Sequence, residues 1–171
     1  MTYLSLDLST KSTGWAVYTD GKLVDYGLIT ASSSDLIVRI QKIILGLKEV
    51  ISKYKPSEVV LEEVMPPSEA KHNVQTHRAL MWLQGAVGIL IHEIDKSIKM
   101  HYLYPSEWRS ACGIKTGPKV VREVQKKYDI AFVEKKFGLT VNDDIADAIG
   151  IGYGYNQKSL ITISGEYNFG Q

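Results

Sequence analysis

Four acidic residues stand where this chain would ordinarily place apolar or neutral side chains. Asp7 lies in LSLDLSTKSTGWAV (4–17) among Leu4, Leu6 and Leu8, and Glu62 follows the apolar run of EVVLEEV (58–64). In NDDIADAIGIGYGY (142–155), Asp144 and Asp147 are three apart, which puts them on one helix face, and Ala146 and Ala148 leave room for something to approach. Carboxylates gathered in a low dielectric repel strongly and stay ionised together only when a cation neutralises them. Oxygen donors select a hard ion, Mg²⁺ or Mn²⁺, over zinc. Singly, each acid also has a local explanation. Asp143 and Asp144 suit a helix start, where they complement the dipole, and Glu63 suits a solvated strand end. Together, each at a strand end or helix start facing one sheet edge, they favour a metal.

The elements that must position them follow from periodicity. Residues 2–8, 14–19 and 22–30 read as three strands, with Asp20-Gly21 a hairpin signal between the last two, so they form an antiparallel meander. Leu36, Ile40, Ile44, Leu47 and Ile51 recur at helical spacing and predict a helix over 34–54 that Pro56 ends. Residues 58–64 read as a buried strand reached through that crossover, hence parallel to a neighbour, and Pro66-Pro67 stop it. A long helix over 69–96, a strand over 98–104 and a helical turn through Trp108 follow. A basic helix is expected from Pro118, a favoured first helical position. A last helix over 142–155 is capped by Asn142 or Asp143, and its small residues let it lie close to the sheet. The order βββ-α-β-α-β-α-α predicts an α/β fold, a mixed five-stranded sheet flanked by helices. One domain is expected over 1–156, with 157–171 a tail of unassigned structure.

Composition narrows the class. The chain has 171 residues, 44% hydrophobic and 23% charged, ordinary for a globular protein with a sizeable core. No stretch has the length of a membrane span and no signal peptide is visible, so an intracellular, cytoplasmic protein with no membrane partner is expected. Cys112 is the only cysteine, which excludes an intrachain disulfide and a multi-cysteine zinc site, and it reads as a small apolar residue. The histidines His72, His77, His92 and His101 have no metal-ligand spacing. Net charge is +1, but setting four of the 19 acids aside as ligands leaves the rest outnumbered by the 20 basic residues, a balance suited to phosphate. Arg109, Lys115, Lys119, Arg122, Lys126 and Lys127 cluster in one stretch, opposed only by Glu123. Lys119, Arg122 and Lys126 are expected on one helix face, and a solvated helix face is the plainer reading of the same cluster.

The three acidic segments, in this order and at these separations, resemble the motifs of RuvC-type Holliday junction resolvases, members of the RNase H-like superfamily. The first is similar to that family's pattern at Asp7, Thr10, Lys11, Thr13, Gly14 and Trp15, the second at Glu62-Glu63, and the third at Asp144, Asp147 and Ala148. The resemblance covers about residues 1–155 and implies an RNase H-like fold. It also implies a homodimeric endonuclease that resolves four-way DNA junctions by paired nicks leaving 5′-phosphates. Two Mg²⁺ ions, replaceable by Mn²⁺, are then held by Asp7, Glu62, Asp144 and Asp147, and no protein nucleophile is needed. Lys119 and Arg109 match basic residues that the family places near its active site. Lys11, Thr13, Lys115 and Arg122 are further candidate DNA contacts, as is Met65 in the role of an apolar wedge. Gly85 and Gly88 lie on the helix that in this family helps form the dimer.

There are departures. Where many members carry an aromatic wedge after the second acid, this chain has Met65-Pro66-Pro67, and the approach to the last helix (128–141) is longer than usual. Both suit a phage-type member, which would act in the host cytoplasm. Other readings are an RNase H-like nuclease for flaps, other branched DNA or RNA-containing duplexes, and a non-catalytic DNA-binding module. Against the latter, a phosphate binder gains nothing from clustered negative charge. The first motif also resembles the phosphate loop of actin-like sugar kinases, which need a second large lobe. A P-loop is excluded because STKST lacks its glycines.

Overall fold

A computed structural model describes residues 1–64, 74–117 and 120–166, with side chains through residue 159. The chain begins with strands β1 (Thr2–Asp7), β2 (Ser12–Thr19) and β3 (Lys22–Thr30). Asp20 and Gly21 both take positive φ, +50° and +74°, which reverses the chain between β2 and β3 as the Asp-Gly pair predicts. Helix α1 (Leu36–Tyr54) starts where Asp35 Oδ1 accepts from the backbone N–H groups of Ile37 and Val38, at 2.7 and 3.3 Å. It ends at Lys55, left-handed at φ +47°, just before Pro56. Then come β4 (Glu58–Glu62), α2 (Val74–Ile94), β5 (Lys99–Leu103), α3 (Pro105–Ala111), α4 (Arg122–Phe137) and α5 (Asp143–Glu166).

The sheet order is β3-β2-β1-β4-β5, antiparallel across β3, β2 and β1 and parallel across β1, β4 and β5. This is the expected mixed five-stranded sheet. Because side chains alternate along a strand, register decides what faces what. In β1, Leu4 and Leu6 join an aliphatic core with α1 and α2, while Tyr3 and Ser5 face the core under α3, α4 and α5. Val59 and Leu61 of β4 pack with the first group, and Val60 with the second. Continuing the same alternation turns Asp7 and Glu62 toward α5.

One expectation is corrected at α4. The helix expected from Pro118 begins at Arg122, because Val121 is extended at φ −73° and ψ 156°. Pro118 and Lys119 lie outside the described residues, and with Lys119 so does the face expected to join it to Arg122 and Lys126. The approach to the last helix, residues 128–141, is largely α4 itself. Helix α5 runs on to Glu166, into the segment the sequence left unassigned.

Candidate active site at the sheet edge

Asp7 and Glu62 end neighbouring parallel strands whose register runs Tyr3 to Glu58 through Leu6 to Leu61, so the two acids emerge side by side. On the other flank Asp7 pairs with Gly14 of β2. Gly14 is what admits α5: a Cβ there would lie 2.0 Å from the Asp144 carbonyl oxygen, closer than any real contact. The first turn of α5 therefore rests directly on the strand beside Asp7. Asn142 fixes that turn, its Oδ1 accepting from Ile145 N–H at 3.0 Å. Further along α5, Gly150, Gly152 and Gly154 bring the helix onto Trp108, Tyr18 and Ser5, as its small residues predict.

Each acid has a distinct setting. Glu62 Oε2 accepts from Trp108 Nε1 at 2.8 Å, and Asp144 Oδ2 accepts from Ser12 Oγ at 2.5 Å. Asp147 Oδ1 is buried without a hydrogen-bond partner, and Asp147 Oδ2 lies 3.6 Å from the Arg109 guanidinium. Burial, then the charges of Glu62 and Asp144, pushes the Asp7 carboxyl well above the usual carboxylate range. Burial also raises Glu62, against the Trp108 hydrogen bond and the Arg109 charge. Asp147 is pushed up to about 10 by burial and then by Asp7 and Asp129. Among the described residues no three carboxylate, imidazole or thiol groups close to ligand distance. Glu62 and Asp144 each turn to a separate hydrogen-bond donor, Trp108 and Ser12.

These residues fit a hard divalent cation. The donors are carboxylate oxygens only, and a buried carboxylate oxygen with no partner is a costly feature that a cation would satisfy. Asp143, beside the site, is instead paired with Lys126, which holds its carboxyl below the usual range.

The basic candidates separate by position. Lys11, Lys115 and Arg122 are exposed. Thr13, expected to contact DNA, is fully buried; its Oγ1 donates to the Ser9 carbonyl at 2.8 Å and accepts from Ser9 N–H, so it closes the turn into β2. Arg109 is likewise turned inward, 14% exposed and bound to Asp129. Met65 and Lys119 lie outside the described residues, as does His72. Cys112 is a half-buried thiol pushed up to about 12 by desolvation, its Sγ donating to the Gly150 carbonyl. Sequence reasoning missed Ser12, Trp108 and Asp129 as parts of this region. For Asp129 a signal existed: it lies four residues before Val133 on the buried stripe of α4, an acid in a core position.

A mixed sheet whose central parallel strands deliver two acids to one end, with a helix supplying two more, defines the RNase H-like class of metal-dependent nucleases. The chain belongs to the RuvC family: the model described as "Crossover junction endodeoxyribonuclease RuvC" matches residues 4–153. Its similarities include the crossover junction endodeoxyribonuclease RuvC of Orientia tsutsugamushi (strain Ikeda), 27% identical over 158 residues, 90% of this chain and 93% of that protein. The namesake from Neorickettsia sennetsu is 34% identical over 113 residues, 57% of this chain and 66% of that protein. In fold it is similar to T. thermophilus RuvC solved in complex with Holliday junction substrate, with a TM-score of 0.72 and 17% identity over 94% of this chain and 96% of that one. The yeast mitochondrial Holliday junction resolvase follows at a TM-score of 0.56 and 15% identity, covering 96% and 83%. Family and fold together are those of a divalent-metal-dependent nuclease. No helix among the described residues is long and apolar enough to cross a membrane.

Proposed function

We propose that this chain is a crossover junction endodeoxyribonuclease that nicks four-way DNA junctions in symmetric pairs, leaving 5′-phosphates, with Asp7, Glu62, Asp144 and Asp147 holding two Mg²⁺ ions. The observation that carries the reading is the seating of α5 on Gly14, which sets Asp144 and the unpartnered Asp147 oxygen beside the strand-end acids in a chain of this family. The chemistry that bound cations supply is charge stabilisation of the scissile phosphate and activation of the attacking water. Residues of the chain do the rest. The β1 and β4 backbones hold Asp7 and Glu62 rigidly, Trp108 orients Glu62, and Ser12 orients Asp144. Lys11, Lys115 and Arg122 supply exposed charge for backbone phosphates, Lys119 adds a further basic contact, and Met65 serves as an apolar wedge at the crossover.

Two active sites for two nicks call for a dimer, and α2 has the surface for it. Its outward stripe carries Val74, Met81, Trp82 and Ile89, the last two 51% and 64% exposed, around Gly85, where an added Cβ meets nothing within 4 Å. Trp82 is large enough to anchor such an interface. The nuclease unit is residues 1–156, and the chain works in the cytoplasm, that of the host if it is phage-encoded.

The test is a comparison of substrates: a mobile four-way junction, a flap and a linear duplex, each end-labelled and incubated with Mg²⁺ or with EDTA. Paired nicks at symmetric positions of the junction, lost in EDTA, are expected. Cutting of the flap with the junction left intact would move the assignment to a different branched substrate.

A further inference from the structure

Asp129 is a fifth carboxylate in this region and, at 1% exposed, is itself buried where the other four are only partly so, projecting from α4 rather than from the sheet edge. Burying a charge is costly unless it is paired and hydrogen-bonded, and Asp129 is fully engaged. Arg109 Nε donates to Asp129 Oδ1 and Oδ2 at 3.2 and 3.1 Å, and Arg109 Nη2 donates to Oδ2 at 3.0 Å. Gln125, one turn earlier on α4, adds a bond to Oδ1 at 3.1 Å. The same Nη2 lies 3.6 Å from Asp147 Oδ2, within ion-pair range but outside a hydrogen bond. Arg109 thus stands between two acids and is bonded to only one. Its guanidinium also lies over the ring of Trp108, 4.2 Å from the centroid, and Trp108 holds Glu62.

A guanidinium at this position can do one of two things. Bonded to Asp147, it would neutralise that carboxylate and occupy the oxygens a cation needs. Bonded to Asp129, it leaves Asp147 open. We infer that Asp129 is a positioning residue of the cleavage site, a counter-ion that holds Arg109 off Asp147 so that Asp147 stays open to a divalent cation. The inference rests on the proposed metal site and adds a residue on α4 that controls how that site loads. It also explains why an acid occupies a core position of α4, where an aliphatic side chain would pack with Val133 at no electrostatic cost.

The test is a double-variant cycle on the full chain without DNA, reading Mg²⁺ binding by titration calorimetry and Mn²⁺ binding by loss of the free-ion EPR signal. Asp129→Asn frees Arg109 to pair with Asp147 and is expected to weaken cation binding about tenfold, the scale of one displaced charge contact. Arg109→Gln removes the competitor and leaves an extra negative charge, so binding tightens about threefold. The pair Asp129→Asn/Arg109→Gln returns to within about twofold of the wild type. Opposite signs in the single variants with a near-neutral double cannot arise from a merely structural role, which loosens all three together. Should Asp129→Asn not fold, Arg109→Gln alone carries the sign test: binding tightens if Arg109 competes for Asp147, and weakening overturns the inference. Equal affinity in wild type and Asp129→Asn, or parallel weakening of every variant, overturns the inference while leaving the metal site standing. A wild-type protein with no saturable binding sensitive to Asp147→Asn overturns the metal site and the inference together.

Discussion

The two faces of the sheet are built from different chemistry. The face covered by α1 and α2 is aliphatic: Leu4, Leu6, Val17, Ile43, Leu47, Val59, Leu61, Leu83 and Val87 are all fully buried there. The face covered by α3, α4 and α5 mixes aliphatic side chains such as Val60, Val133 and Ile149 with aromatic and polar ones. Tyr3, Tyr18 and Ser5 are buried and donate to the carbonyls of Gly152, Ile149 and Ala148 on α5, and Asp7, Glu62, Asp129 and Asp147 sit at one end. Leu4 and Ser5, or Leu61 and Glu62, are chain neighbours assigned to opposite tasks by the period of a strand. One face holds the fold together. The other spends stability to keep charges close: burial is expensive for each acid, and hydrogen bonds to helix carbonyls lock α5 in the one position that gathers them.

Three perturbations probe that division, in decreasing order of effect. On the aliphatic face, Leu47→Ala is expected to cost about 2 to 5 kcal/mol of unfolding free energy, the range for a truncated core leucine. Cleavage per folded molecule stays within about twofold of wild type. Denaturant unfolding beside single-turnover cleavage checks both halves, and a large loss of activity in folded protein would show that the two faces are not separable. On the other face, Gly14→Ala forces a methyl against the Asp144 carbonyl. Its cost in stability is smaller, about 1 to 3 kcal/mol for overpacking, but displacing the start of α5 lowers cleavage about 100-fold. Unchanged activity there would mean α5 does not need its seat on β2.

The smallest effect is one of pH. Asp7, Glu62 and Asp147 have raised carboxyl pKa values in the folded, metal-free protein, so the folded state holds protons that the unfolded chain releases above about pH 4. The stability they contribute is present below that value and is lost as pH rises, toward about 10 for Asp147. Scanning calorimetry in EDTA is expected to give a Tm that falls by a few degrees between about pH 5 and pH 8, with the fall reduced by Mg²⁺. A Tm that rises over that interval contradicts the raised values. In Leu47→Ala the slope is unchanged, since Leu47 packs on the opposite face of the sheet from these three acids.

Much of this was legible in the sequence, for local reasons. Period-two alternation identifies Asp7 and Glu62 as acids in buried strands, and the Asp144 and Asp147 spacing places them on one helix face, so a candidate site could be assembled before any fold was known. The Asp-Gly turn, the α1 periodicity and the βαβ order specify a mixed sheet for the same reason. What was not legible depends on contacts between distant elements or on a register of one residue. Ser12 and Thr13 are adjacent hydroxyl residues of one motif, yet Ser12 faces Asp144 and Thr13 is buried in its own turn. Arg109 sits in a basic run that suggests a DNA contact, and only the packing of α3 and α4 on α5 reveals that Asp129 claims it. The start of α4 was misplaced because Pro118 suits a first helical turn, whereas Val121 is extended and the helix forms only after it.

The central claim is that the acids on the α5 face form a divalent-metal site that cuts DNA at a junction. Its most direct measurement is Mg²⁺-dependent nicking of a synthetic four-way junction by wild type and by Asp7→Asn, both shown to be folded. The account predicts a loss of at least about 1000-fold in the variant, the scale of removing a metal ligand from a reaction that relies on the metal. Cleavage by folded Asp7→Asn at the wild-type rate, or wild-type nicking that persists undiminished in EDTA, would contradict it.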